Sequence, residues 1–503
     1  MTLLQALAST LTIVCIVSAQ QNHVIPISGH LSQSGSSTNG SSDGLTVLTQ
    51  QGPVVGTSPI VNVRQFLAPF NASSFGDSCP QQFNDGDLEF LRLSWGGLSD
   101  EQIFVSESED CLNVNIWAPS INRAQSTAVL VWIYGGALAF GTSNTPQYNG
   151  LNIVRDNDDI TLVSFNYRTN IFGLPNAPQL NGTGQAQNFA FLDVDAAIQW
   201  VYQNIEYFGG DPERITIFGQ SAGAELADAY TLLMSFTGVI EQSGSALGNT
   251  EIAAAKLTIN DIAWNAVASA VGCGNTTDSV QFSCMQNVST IDLSAAVSNT
   301  SQSFNVVVDG VTTFADTAAR ATSGRFLKVP VLAGTVANEG DIFIAIAQLL
   351  AVGAIIQPGF DILSSIYTMN TSCPTAETTA FRAAAGSTVF RYEYQAIFPN
   401  MSPFPQLRAY HTSEIPLVFG TYNVSRESLA TTQTGIPVPS TNTEIALSKA
   451  MQRAWVAFAQ DPQNGLPSIG WPVYNTSASS PTIATLGNYL NATGWSFHRV
   501  GGD

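Results

Sequence analysis

The sequence predicts an α/β architecture: a mostly parallel central sheet with helices on both faces. Three observations carry this. Apolar, β-branched runs of strand length recur along the chain and alternate with stretches of helical periodicity. Several of those runs are apolar throughout rather than every second residue, as strands covered on both faces must be. Finally, RITIF (214–218) passes through Gly219 into a helical pattern at Ala222, so one strand turns directly into a helix.

Residues 1–19, MTLLQALASTLTIVCIVSA, carry no charged side chain and end in small residues before Gln20, which reads as a signal peptide cleaved after Ala19. The run falls short of the roughly 20 apolar residues a span needs, so no stable membrane insertion is expected. Residues 20–44 are Ser/Gly-rich and read as a low-complexity N-terminal segment. Residues 45–503 carry the alternating pattern as one domain. AVLVWIYGG (128–136) and ITLVSFNYR (160–168) predict strands, and NFAFLDVDAAIQWVYQNIEYF (188–208) an amphipathic helix. After the strand–turn–helix at Ser221, FTGVIEQSG (236–244), VPVLAGTV (329–336) and STVFRYEYQ (387–395) predict further strands. NTEIALSKAMQRAWVAFAQ (442–460) reads as a helix near the end.

Charge excludes some partners. With 17 Lys+Arg against 37 Asp+Glu the net charge is −20, so no nucleic acid or anionic membrane surface is expected to bind. N-x-S/T sequons begin at Asn39, Asn71, Asn181, Asn275, Asn287, Asn299, Asn370, Asn400, Asn423, Asn475 and Asn491, a density that fits a secreted, extracellular glycoprotein. Loss of Cys15 with the signal leaves Cys79, Cys111, Cys273, Cys284 and Cys373, which in an oxidising compartment predicts two disulfides and one remaining thiol. No C-x-x-C and no H-E-x-x-H occurs, so no metal site or cofactor is expected.

The stretch ITIFGQSAGAEL holds a G-x-S-x-G with Ser221 at its centre. Strand, Gly-flanked turn and helix are the context of the nucleophile elbow of the α/β-hydrolase fold, which lifts a serine oxygen clear of the sheet. A serine hydroxyl needs an imidazole to take its proton and a carboxylate to orient that imidazole. Of four histidines, His23 and His30 lie in the low-complexity segment and His498 lies at the C-terminus, which leaves His411. The acid should follow a strand's carboxyl end between Ser221 and His411. There VPVLAGTV runs into ANEGDIF, and position alone leaves both Glu339 and Asp341 open. Backbone N–H groups for the oxyanion are expected from Ala222 and from the Gly-rich turn YGGALAFG.

These blocks, in this order, resemble the type-B carboxylesterase/lipase family, to which cholinesterases and fungal lipases belong. The resemblance runs from about Leu45 to Tyr474. It is carried by SEDCLNVNIWAPS (108–120), VWIYGGALAFGTS (131–143), NIEYFGGDPERITIFGQSAGA (204–224), GTVANEGDIF (334–343) and AYHTSEIPLVFG (409–420). It implies Ser221 as nucleophile, Glu339 rather than Asp341 as acid, and His411 as base. It implies an oxyanion hole of Gly136, Ala137 and Ala222, and disulfides Cys79–Cys111 and Cys273–Cys284, with Cys373 unassigned. The departures are specific. Gln220 stands where the family usually has Glu, which predicts a less negative cavity floor. GGA replaces the commoner GGG, tolerable if Ala137 keeps a negative φ. The family's proline-rich G-I-P-Y-A stretch has no counterpart between Arg64 and Cys79, and the segment between Ala224 and Ile240 is a few residues short.

By the same resemblance the loop closed by Cys79 and Cys111 covers the site, and Leu88, Phe90, Leu91, Leu93 and Trp95 make it either a lipase lid or an ordinary packed loop. Trp95 is not at the spacing of the cholinesterase choline-binding Trp, which disfavours choline esters. Three readings remain: a secreted hydrolase of small-molecule carboxylic esters, a lipase or sterol esterase acting at lipid interfaces, and a non-catalytic adhesion-type relative. The sequence leaves the oligomeric state open.

Overall fold

The computed structural model describes residues 45–499 apart from 50–51, 59–62, 67–71, 73, 232–235, 247–260, 358, 403, 425–437, 477–481 and 489–490. The expected signal peptide and the whole Ser/Gly-rich segment 20–44, with His23, His30 and the sequon Asn39, therefore lie outside the described residues, as does the sequon Asn71.

Twelve strands are described, numbered in chain order. β1 (Thr46–Thr49) and β2 (Gly52–Val55) form an antiparallel hairpin. The remaining ten build one sheet: β3 (Val63–Phe66), β4 (Val114–Pro119), β5 (Thr127–Ile133), β6 (Ile160–Phe165) and β7 (Gly210–Gln220), then β8 (Gly238–Gln242), β9 (Val331–Val336), β10 (Val389–Tyr394), β11 (Thr482–Asn488) and β12 (Asn491–Arg499). Their order is β12-β11-β10-β9-β8-β7-β5-β6-β4-β3. The strands from β6 to β11 run parallel, while β3, β4 and β12 pair antiparallel at the two edges. All the residues of β5 and β6 are buried. Successive strand residues point to opposite faces, so both faces are covered, as the unbroken apolar runs require. The chain goes from β5 outward to β6, then returns to place β7 on the other side of β5. That reversal opens a crevice at the carboxyl ends of β5 and β7, the place where open α/β sheets bind ligands.

Six helices shape the crevice and its surroundings: α1 (Asp85–Leu93), α2 (Phe189–Asn204), α3 (Ala222–Tyr230), α4 (Asp341–Val352), α5 (Gly359–Ala384) and α6 (Asn442–Gln460). Helix α6 has the bounds that its sequence periodicity predicts. Thr441 and Glu444 form a capping box at its start, and Leu447, Met451, Trp455 and Phe458 make the buried stripe. Each of those side chains contributes about 1.5–3 kcal/mol by leaving water. The Trp455 indole N–H also donates to Gln242 Oε1 at 2.9 Å, fixing the helix beneath β8.

Both disulfides implied by the family resemblance are present, Cys79–Cys111 and Cys273–Cys284, and Cys373 is an exposed thiol. Among the sequons, Asn181, Asn275, Asn287, Asn299, Asn370, Asn423, Asn475 and Asn491 are exposed. Asn400 is buried, with its amide nitrogen donating to Glu444 Oε1 at 2.9 Å, so the folded state has no room for a glycan there.

A charged cluster lies under α3. Arg382 of α5 is fully buried, paired with Asp228 of α3, and its Nε stands 3.7 Å from Glu241 Oε1 on β8. Burial, with Asp228 alongside, pushes the Glu241 carboxyl well above its usual range, so this acid keeps its proton. Asp228 also accepts from the Ala246 N–H at 2.9 Å. Replacing the guanidinium leaves Asp228 buried without its counter-charge, and breaking a buried pair from one side costs about 3–5 kcal/mol. Arg382→Met is expected to lose stability of that order in denaturant unfolding; a loss below about 1 kcal/mol contradicts it.

Candidate active site

Backbone crowding raises Ser221. It caps the N-terminus of α3 with φ 56° and ψ −128°, a conformation that costs an L-residue about 1–3 kcal/mol. Two glycines permit it. A Cβ on Gly219 would lie 2.4 Å from the Gly223 carbonyl, and one on Gly223 would lie 2.1 Å from the Ile133 carbonyl oxygen at the end of β5. Strand, helix start and neighbouring strand are too close for any side chain at either position. The Ser221 N–H donates to the Gln242 carbonyl at 2.9 Å, which ties the turn to β8.

Glu339 sits three residues beyond β9 and is fully buried. Its Oε1 accepts from the Val336 N–H at 3.0 Å, and its Oε2 faces His411 Nδ1 at 2.5 Å. A carboxylate there fixes the imidazole with its proton on Nδ1, leaving Nε2 as an acceptor. Asp341, the other candidate by position, is committed elsewhere: Arg408 Nη2 lies 2.7 Å from its Oδ1, and the Ser364 hydroxyl donates to the same oxygen at 2.5 Å. Glu339, not Asp341, faces the histidine. The Nε2 of His411 is met at 3.0 Å by the Gln220 side-chain nitrogen. Among the described residues no side-chain hydrogen bond joins Ser221 to His411. The side chain of His498 lies outside the described residues.

The turn after β5 overturns one expectation. Ala137 has φ 53°, not a negative value, and Leu138 follows at 56°. The cause is the tightness of the turn. Gly136 stands at φ 116°, and the N–H groups of Ala139 and Phe140 both donate to its carbonyl, at 2.9 and 3.2 Å. Two left-handed residues must follow, at a cost of roughly 1–2 kcal/mol each. Neighbours hold the turn: the Asn170 N–H donates to the Leu138 carbonyl at 2.8 Å. Tyr134 and Tyr167 stack at 4.4 Å and exchange hydroxyl-to-carbonyl bonds of 2.9 and 2.8 Å. Gly136, Ala137 and Ala222 line the same cavity as Ser221 and His411.

That cavity measures about 310 Å³ and is walled by Phe90, Leu91, Trp95, Tyr148, Phe343, Ile346 and Tyr367. A larger apolar cavity of about 380 Å³ lies elsewhere, between Phe66, Ile116, Trp200 and Phe208, and has no serine or histidine in its wall. Ser221 and His411 both line the smaller one. The loop closed by Cys79 and Cys111 is pinned at Trp95, which is buried. Its backbone N–H donates to the Tyr410 hydroxyl at 2.7 Å, and its indole N–H donates to the Thr412 carbonyl at 2.9 Å, on either side of His411. Among the described residues no group of His, Cys, Asp and Glu is placed to hold a metal ion, and no helix is long and apolar enough to cross a membrane.

Comparison with known proteins adds the lineage. Residues 59–351 and 360–491 match the model of the Carboxylesterase family. Over 461 residues, 82% of each chain, the sequence is 32% identical to a protein named Secreted lipase 5 from Gibberella zeae. The chain belongs to the carboxylesterase family. It is also 33% identical over 469 residues to the chlorogenic acid esterase of Aspergillus niger, covering 85% of this chain and 84% of that one. A solved PNB esterase superposes with a TM-score of 0.68 over 91% of this chain and 97% of its own, and at 22% identity it shows the shared fold. As a carboxylesterase-family member, this chain is a carboxylic ester hydrolase with the α/β-hydrolase fold.

Two features of this site lay outside the reach of sequence spacing. One is the contact of Gln220 with His411. The other is Glu414, one helical turn past the histidine and fully buried, which accepts from the Gln242 side-chain nitrogen at 3.0 Å. Burial, reinforced by the nearby Glu339 charge, pushes the Glu414 carboxyl up to about 7 against the opposing bond from Gln242. A glutamic acid in the turn after a candidate histidine is a signal that a sequence reading can weigh.

Both features are testable. A glutamate at position 220 puts a charge on the cavity floor, so Gln220→Glu should raise kcat/KM for a cationic ester over its neutral isostere by about three- to tenfold. An unchanged ratio contradicts this. For Glu414, the folded value lies above the unfolded one, so the native state binds the extra proton between them. Stability from this group is therefore full below about pH 4.5 and is lost as pH rises through about 7. Glu414→Gln should remove that loss. Its stability relative to wild type is expected to rise by the order of 3 kcal/mol between pH 5 and pH 8, read from parallel unfolding curves.

Proposed function

We propose that this chain is a secreted serine hydrolase that cleaves carboxylic esters through an acyl-enzyme intermediate. The observation that carries the reading is the Glu339–His411 pair, 2.5 Å apart, with His411 lining the same cavity as a serine on a strained elbow. Ser221 attacks the ester carbonyl as His411 Nε2 takes the hydroxyl proton. Gln220 must release that nitrogen first, so substrate arrival includes a side-chain movement of the amide. Glu339 holds the tautomer and stabilises the imidazolium. The N–H groups of Gly136, Ala137 and Ala222 receive the oxyanion, worth about 10²- to 10³-fold in rate per donor. His411 then returns the proton to the departing alcohol, and water repeats the sequence on the acyl-enzyme. Secretion is supported by the uncharged N-terminal segment, the exposed sequons, the two disulfides and the likeness to a fungal protein named as secreted.

Initial rates on p-nitrophenyl esters from acetate to palmitate test this directly. Activity is expected on the soluble short esters and should fall at least about 10⁴-fold in Ser221→Ala. Equal rates in wild type and variant overturn the reading.

A further inference from the structure

The mouth of the cavity adjoins two helices that carry several exposed apolar side chains. Leu350 and Val352 at the end of α4, Ile356 in the turn, and Ile362, Ile366 and Met369 on α5 are all exposed, Val352 and Met369 by 60% and Ile362 by 66%. The three on α5 recur at i, i+4 and i+7 and so share one face of the helix. The opposite face buries Phe360 and Ser364. Contiguous apolar exposure of this kind marks an interaction site rather than ordinary surface scatter.

Two facts identify what it meets. The first is continuity with the cavity. Ile346 and Tyr367 line the cavity from the same two helices. Leu350 Cδ1 comes within 4.0 Å of where a Cβ on the cavity-lining Gly86 would stand. Phe343 stacks on Tyr367 at 4.5 Å and on Phe90 at 5.8 Å, and stands 5.3 Å from His411, so an apolar wall runs from the histidine to this surface. The second fact is charge. In a chain of net charge −20, residues 342–376 contain one charged side chain, Asp361, and Arg408 stands 3.4 Å from it. A face cleared of charge matches neither an anionic membrane nor a cationic partner. A second copy seated there would cover the mouth and bring two strongly acidic surfaces together. The family match also breaks between 351 and 360, where the turn carrying Val352 and Ile356 lies.

We propose that this α4–α5 face is a docking surface for aggregated, uncharged acyl esters, which seats the cavity mouth on a neutral lipid droplet. It rests on the ester-hydrolase reading of Ser221 and names the physical form of substrate that site receives.

The test separates docking from catalysis. Co-flotation with neutral triacylglycerol droplets is measured for Ser221→Ala alone and for Ser221→Ala carrying Val352→Ser, Ile356→Ser, Ile362→Ser and Ile366→Ser. The same four changes are assayed in the otherwise native chain on soluble p-nitrophenyl acetate and on a tributyrin emulsion. Exposed positions tolerate such changes, so the acetate rate is expected within twofold of wild type. Flotation and the emulsion rate are expected to fall at least tenfold. Unchanged flotation overturns the proposal, as does a dimer in sedimentation that the four changes convert to monomer without altering flotation. An inactive but floating wild type overturns the ester-hydrolase reading while leaving the surface intact.

Discussion

The site depends on one steric constraint: β5, β7 and the first turn of α3 meet so closely that nothing larger than hydrogen fits between them. Gly219 and Gly223 are where that constraint is met, and the left-handed backbone at Ser221 is its result. The parallel pairing of β5 with β7 and of β7 with β8 sets the spacing. The remainder of the site is arranged around a serine whose position is already decided by backbone alone. The turn after β5 packs against the same junction, since a Cβ on Gly135 would lie 2.6 Å from the Gln220 carbonyl oxygen.

Several carboxylic acids are buried near this junction, and their partners divide them by role. Asp341 is held by Arg408 and Ser364, and Asp228 by Arg382. Glu241 and Glu414 are both raised by burial, Glu414 to about 7. Glu339 alone among them has an imidazole as its partner. Choosing the acid that serves the histidine is therefore a matter of where the cations lie, not of which carboxylate is nearest in sequence. The same division keeps an acidic interior tolerable, because no two neighbouring carboxylates need be charged without a cation between them.

Much of this was legible in the sequence because it depends on local pattern. Strand runs such as 128–136 and 160–168 are apolar because both faces of the sheet are covered, and α6 announces its bounds through Thr441, Glu444 and its stripe. A turn motif singled out Ser221 and elimination singled out His411, and the two line one cavity. What could not be read are features decided by distant residues. Position left Glu339 and Asp341 open because the choice turns on Arg408, which lies some seventy positions away. The sign of φ at Ala137 turns on a carbonyl that accepts two N–H groups at once. Asn400 has the letters of a glycan acceptor, and only the packing of α6 against it reveals that its amide nitrogen is taken. The contact between Gln220 and His411 spans 191 positions and has no local signal.

That separation has a consequence for when the enzyme comes into being. At about 5–20 residues per second, roughly 10–40 s of synthesis pass between the emergence of Ser221 and that of His411. During this interval β5, β7 and β8 can already pair, yet the cavity lacks the wall that His411 and Thr412 supply, and Trp95 has neither Tyr410 nor Thr412 to bond. A prematurely ended chain therefore lacks a finished cavity however well its first half has folded.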